Sequence, residues 1–179
     1  MMKLLPVLAL VIAFQGTEAG RDTSCSAPAD IGSQKCDAKP SIRYYYDPSR
    51  FDCFPFKYNG CGGNGNNHLK FSECRQRCAP ADAFTCPGGV TREMGNCHQK
   101  SDCLPGSTCM MGYMYGKCCD DIATAQAQNL DCGGKMIVKV DGEEDWRQGL
   151  DYLGISCNDA FCPHGSECRE NGVYAFCCK

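Results

Sequence analysis

The sequence predicts a small disulfide-rich multi-domain protein. Its first unit reads as α+β, a twisted β-hairpin plus a short C-terminal helix, and two mainly β or irregular cysteine-rich modules follow. Three observations predict this. Eighteen cysteines in 179 residues are about a tenth of the chain, the level of a disulfide scaffold. They fall into three sets of six, and the first set is spaced C-x10-C-x16-C-x7-C-x12-C-x3-C from Cys25 to Cys78. The other two sets share the repeat C-x2-G-S-x-C-x8-C-C.

Residues 1–19 read as a signal peptide. Lys3 supplies a basic start, Leu4 to Phe14 an apolar run, and Gly16-Thr17-Glu18-Ala19 a small-residue cleavage site after Ala19. The apolar run is far shorter than the ~20 residues a spanning helix needs. The mature chain is therefore expected to be secreted and extracellular, where disulfides persist. Each six-cysteine unit is too short to offset its chain entropy by core burial alone, so bridges must supply part of the stability. The formal net charge of -3, with no sustained basic cluster, gives no footprint for nucleic acid or an anionic membrane.

Within residues 25–78, Arg43-Tyr44-Tyr45-Tyr46-Asp47 is an aromatic strand signal. Cys53-Phe54-Pro55-Phe56-Lys57-Tyr58 is a second strand, with Phe54, Phe56 and Tyr58 on one face. Asp47-Pro48-Ser49-Arg50 supplies the turn between them. Cys74 and Cys78 are four apart, which on a helix puts both sulfurs on one side. Six cysteines allow fifteen pairings, and spacing does not choose among them.

Taken together, Cys25, Cys36, Arg43 to Asp47, the strand from Cys53 to Cys61, Gly62-Gly63-Asn64-Gly65-Asn66-Asn67 and Cys74-Arg75-Gln76-Arg77-Cys78 resemble the Kunitz family, pancreatic trypsin inhibitor type. The resemblance covers about a third of the chain. It implies the pairs Cys25–Cys78, Cys36–Cys61 and Cys53–Cys74. It further implies a non-enzymatic serine-type endopeptidase inhibitor that needs no cofactor. Its reactive-site loop would comprise Lys35, Cys36, Asp37, Ala38 and Lys39, backed by Asn59, Gly60 and Cys61. By position Asp37 enters the protease's primary pocket. A trypsin-type pocket carries an acid at its base, so the expected partner is a serine protease that accepts an acidic or small residue, or one met through Lys35 or Lys39. Two departures from the family flank this loop: two extra residues between Cys25 and Cys36 and one between Cys36 and Cys53. His68 stands where the family usually has a core aromatic, and Asn59 replaces a common glycine. The alternative reading is a non-inhibitory extracellular interaction or matrix protein that uses the same units for binding, since a fold does not set a function.

The remaining cysteines form two modules, 86–119 and 132–178, joined by a linker at 120–131. Cys103 to Cys119 matches Cys162 to Cys178, and each copy has two earlier cysteines: Cys86 and Cys97, or Cys132 and Cys157. Adjacent cysteines on an extended chain point to opposite faces, so each doublet can tie two different segments. In the longer copy Ile137-Val138-Lys139-Val140 followed by Asp141-Gly142 suggests a strand entering a turn. The modules resemble lustrin-type cysteine-rich repeats. A whey acidic protein module would need two cysteines beyond the doublet, where the chain has none within either unit. The linker, with Ala123-Thr124-Ala125-Gln126-Ala127-Gln128, is polar and reads as lacking core residues; helix and flexible chain both remain open.

Other constellations are weaker. Gly60-Cys61-Gly62-Gly63-Asn64-Gly65 fits G-x-G-x-x-G without the βαβ context that motif requires. His98 and His164 lie beside cysteines, but no C-x2-C zinc pair or redox pair occurs, so no metal site is expected. Asp141-Gly142-Glu143-Glu144-Asp145 lacks the ligand alternation of a calcium loop and reads as a solvated tip, with Trp146 as a local core residue.

Overall fold

The computed structural model describes residues 23–33, 36–80, 84–90, 96–141 and 147–179. The signal-peptide segment, Lys35 and the 142–146 tip with Trp146 lie outside the described residues. Among the described residues no helix is long and apolar enough to cross a membrane.

The first unit is built on strands β1 (Ser41–Asp47) and β2 (Asp52–Tyr58), paired antiparallel with Ser41 opposite Tyr58 and Asp47 opposite Asp52. The reversal is set by Asp47, whose Oδ1 accepts from the Ser49 amide at 2.8 Å and the Ser49 hydroxyl at 2.6 Å. An aspartate that bonds the backbone two residues on makes such turns locally favourable. Helix α1 (Phe71–Cys78) follows. Its one-turn spacing lets Cys74 bond Cys53 on the hairpin while Cys78 bonds Cys25 at the start of the unit. The hairpin is covered on both faces. Tyr46, Cys53, Phe71 and Cys74 form a core toward α1, with Tyr44 packed at its margin. Tyr45, Phe54, Phe56 and Tyr58 form a second core on the opposite face, where Phe56 meets Tyr45 edge-on at 5.7 Å. Asn66 is fully buried between the hairpin and the opening segment: its Oδ1 accepts from the Tyr46 amide, and its Nδ2 donates to the carbonyls of Tyr46 and Ala27. His68 is also buried, its backbone paired both ways with Tyr44.

Among the described residues the next unit holds one hairpin, β3 (Ser107–Met111) with β4 (Gly116–Asp120). Its cysteines pair Cys86–Cys119, Cys97–Cys109 and Cys103–Cys118. The last unit carries β5 (Leu153–Gly154), β6 (Glu167–Glu170) and β7 (Ala175–Cys178) in the order β5-β7-β6. Its bridges are Cys132–Cys178, Cys157–Cys168 and Cys162–Cys177. In both units the first cysteine joins the sixth, the second the fourth and the third the fifth. The doublets therefore do tie two segments each.

Two sequence expectations need correction. Ile137 to Val140 is extended but forms only isolated bridges, Ile137 to Cys178 and Lys139 to Asp151. It runs between β7 and residues 149–152, giving alternate backbone bonds to each, for example Val138 N to Cys177 O and Tyr152 N to Val138 O. Residues 121–128 form helix α2 (Asp121–Gln128), capped by Asp120 Oδ1, which accepts from the amides of Ile122 and Ala123. The segment does contribute to packing: Ala127 is buried, and the Asn171 amide of the last unit donates to the carbonyls of Gln126, Ala127 and Asn129 at the helix end.

The last unit also packs on the first. Tyr174 lies 6.3 Å from Phe54 by ring centroids and receives the Arg50 guanidinium at 5.3 Å. The Arg147 guanidinium sits 3.3 Å from the Phe71 centroid and 5.4 Å from that of Tyr44. Such cation–ring contacts stabilise by about 0.5–2 kcal/mol each, more as water is excluded.

The same junction carries a titratable group. Asp159 is half-buried, and desolvation holds its carboxyl above the ordinary range, with Glu170 adding repulsion against the bond from the Ser156 amide. Tyr45, Asp47 and Arg50 of the first unit face the same region, and burial followed by Asp159 pushes the Tyr45 hydroxyl upward. An acid with a raised folded pKa binds more protons folded than unfolded. Its contribution is therefore complete below the unfolded carboxyl pKa and declines as pH rises through the folded value. Asp159→Asn keeps an acceptor for the Ser156 amide and removes that decline. The variant should match the parent in melting temperature near pH 3 and exceed it at pH 7. A difference that does not vary with pH would sink this account.

Candidate functional site

The segment Cys36–Pro40 is exposed throughout, and a single bridge, Cys36–Cys61, ties its start to the chain beyond β2. Asp37, Ala38 and Lys39 follow that anchor and lead into β1. Gly60 backs them closely: with φ +113, a Cβ there would lie 2.6 Å from the Ala38 carbonyl oxygen. Only glycine allows this approach and this backbone angle together.

The approach to Cys36 is braced by Ile31 and Ser33, which sequence reasoning missed, against Asn59 and Cys61, which it placed behind the loop. The Ser33 amide donates to the Cys61 carbonyl at 2.6 Å, and the Asn59 amide donates to the Ile31 carbonyl at 2.8 Å. Asn59 Nδ2 reaches the Gly32 carbonyl at 3.4 Å. Gly32, with φ +72, lies against Tyr58 and Cys61, where a Cβ would come within 2.3 Å of the Cys61 carbonyl oxygen. Ile31–Ser33 thus run alongside Asn59–Cys61 like a short extra strand. The signal available in sequence was Gly32 itself, displaced from Cys36 by the added residues. Asn59 is a working part of this brace as well as a departure from the family pattern.

Further support comes from below. The Tyr58 hydroxyl donates to the Gly62 carbonyl at 2.8 Å, and Asn64 Nδ2 to the Pro28 carbonyl at 2.8 Å. The residues therefore divide in two: Asn59, Gly60 and Cys61 form a backing strip, and Cys36, Asp37, Ala38 and Lys39 are the exposed stretch it backs, bonded to it through Cys36. Lys35 lies outside the described residues. Chemically this arrangement offers a constrained, exposed peptide with a carboxylate at its second position. A constrained loop loses little conformational freedom on binding.

Metal ligation has one candidate among the described residues: the sulfurs of Cys97, Cys103 and Cys118 lie within 4.8 Å of one another. All three are in disulfides, so they offer no thiolate, the form that binds zinc. His98 and His164 are both exposed and are not part of that group.

Comparison with known proteins bears on the first unit and on the whole chain. The model of the Kunitz/Bovine pancreatic trypsin inhibitor domain matches residues 24–79. A BPTI/Kunitz inhibitor domain-containing protein of Caenorhabditis elegans is 33% identical over 158 residues, covering 87% of this chain and 89% of that protein. Major allergen Ani s 1 of Anisakis simplex is 32% identical over 172 residues, covering 88% of this chain and 87% of the allergen. Kunitz-type serine protease inhibitor textilinin-3 of Pseudonaja textilis textilis is 44% identical over 59 residues, covering 33% of this chain and 68% of the snake protein. The first two similarities extend well beyond the first unit.

Proposed function

The chain belongs to the Kunitz/bovine pancreatic trypsin inhibitor domain family, and from that premise we propose that it is a secreted inhibitor of a serine endopeptidase acting through Cys36–Lys39. The family's members include serine protease inhibitors. The observation that carries the reading is the loop itself: exposed, bridged at Cys36–Cys61 and braced from Ile31–Ser33. In this reading Asp37 fills the primary pocket, the partner's pocket is cationic or small, and trypsin is a poor target. Residues 1–19 direct secretion, 25–78 are the inhibitory domain, and 86–119 and 132–178 are lustrin-type repeats flanking 120–131. The shared first-to-sixth, second-to-fourth, third-to-fifth pairing supports treating the two as one repeat.

Asp37 also favours a second reading, in which the first domain binds an extracellular protein without inhibiting a protease. A panel of serine endopeptidases titrated with the full chain separates the two. The expected result is inhibition of enzymes that cleave after acidic or small residues and none of trypsin. No inhibition of any panel member at micromolar concentration would leave the non-inhibitory reading standing.

A further inference from the structure

Just beyond Lys39 the chain enters a groove of about 560 Å³ shared by the first and last units. One wall is Pro40, Ile42 and Lys57; the other is Val138, Phe161 and His164. Val138 and Phe161 are buried in the core of the last unit, and Ile42 packs against that same core. The floor is therefore apolar and already formed. It is shaped by an unusual turn: Ala160 has φ 50 and closes the short helical turn Cys157–Asp159. That reversal sends the Phe161 ring over Gly154, where a Cβ would come within 2.4 Å of it. Holding a non-glycine residue in this region costs about 1–3 kcal/mol and persists where surrounding packing dictates it.

We propose that this groove is a second contact surface for the protease seated on Cys36–Lys39, receiving an apolar segment flanked by acid from the protease's leaving-group side. The proposal rests on the inhibitory reading. Its first support is continuity: Asp37, Ala38, Lys39, Pro40, Ser41 and Ile42 are consecutive, so a partner lying along the loop in the direction of the chain meets the groove wall next. At ~3.3–3.6 Å per residue, Ile42 is no more than about 18 Å from Asp37, inside the footprint of a standard interface of about 800 Å² per partner. Its second support is charge. Lys39 and Lys57 flank the loop end of the groove, and Lys139 on the far wall is paired with Asp151 at 2.5 Å. Asp141 is the acid of the lining itself, so Lys39 and Lys57 together leave the rim one positive charge in excess, which favours an acidic neighbour. The last unit thereby selects among proteases that the loop alone would accept.

Trypsin serves as the probe once Asp37→Arg gives the full chain a residue for its pocket. In that background His164 is replaced by the photoreactive residue p-benzoylphenylalanine. His164 is exposed, so the fold tolerates the change. Irradiation of the complex should join residue 164 to trypsin, whereas the same photoprobe at Tyr113, 91% exposed on the β3–β4 tip, should not react with it. In a companion measurement His164→Glu, which places an acid on the rim, should raise the inhibition constant about tenfold. A tight complex with no crosslink from 164 and an unchanged constant would overturn the second contact and leave inhibition standing. A crosslink from 164 to another copy of the chain in place of trypsin would overturn it too. A folded Asp37→Arg chain that does not bind trypsin would overturn both readings together.

Discussion

Asp37→Arg in the full chain is expected to inhibit trypsin at least ~10³-fold more strongly than the parent. One charge sets the size of the effect. Asp37 is exposed on the loop held by Cys36–Cys61, and in a substrate-like complex its carboxylate would meet the acid at the base of a trypsin pocket. Bringing like charges together in a water-excluded interface costs several kcal/mol, and every ~1.4 kcal/mol is tenfold in affinity. Replacing repulsion by an ion pair therefore moves the constant by three decades or more. The measurement is a titration of trypsin with both chains under identical salt. A folded Asp37→Arg chain, with all nine bridges intact, that leaves trypsin unaffected would show that the loop does not present residue 37 as a substrate would.

Asn66→Ala should be the most damaging single change outside the cysteines. Its side chain satisfies three backbone groups: the Tyr46 amide at 2.8 Å, the Tyr46 carbonyl at 2.9 Å and the Ala27 carbonyl at 2.7 Å. Alanine leaves all three without that partner in a buried setting, and each such loss costs about 1–3 kcal/mol. A net destabilisation of about 4 kcal/mol is expected, read by denaturant unfolding with the disulfides oxidised. Asn66→Asp should not rescue, because it turns two donors into acceptors. A loss below ~1 kcal/mol would mean that neighbouring groups replace the amide.

The first domain was legible because its cysteine spacing, aromatic strand and helix-spaced Cys74 and Cys78 are all local features that agree. The two later units were legible as a repeat but not as connectivities, since spacing alone leaves fifteen pairings for six cysteines. Extended chain at Ile137–Val140 could be read from β-branched residues, whereas its isolated bridging depends on β7 and residues 149–152, which periodicity does not see. For the candidate loop, Asp37 and Gly60 stood out by position. The brace from Ile31–Ser33 did not, because it depends on backbone bonds to Asn59 and Cys61 that carry no residue-type signature. Nor did Tyr174 and Arg147 announce that they would lie on Phe54 and Phe71, since each pair is separated by more than seventy residues.

That contact bears on how portable the first domain is. Phe54 lies on the outer face of its hairpin and is buried with Tyr174 and Ile155 packed against its cluster. A chain ending after Cys78 would hand that aromatic face to water, together with the flank of Phe71 now covered by Arg147. Residues 25–78 are therefore less a freestanding cassette than one half of a fitted pair. Moving them into another protein would call for a polar substitute at Phe54, much as a wall built to be shared needs a new outer surface when its neighbour is taken down.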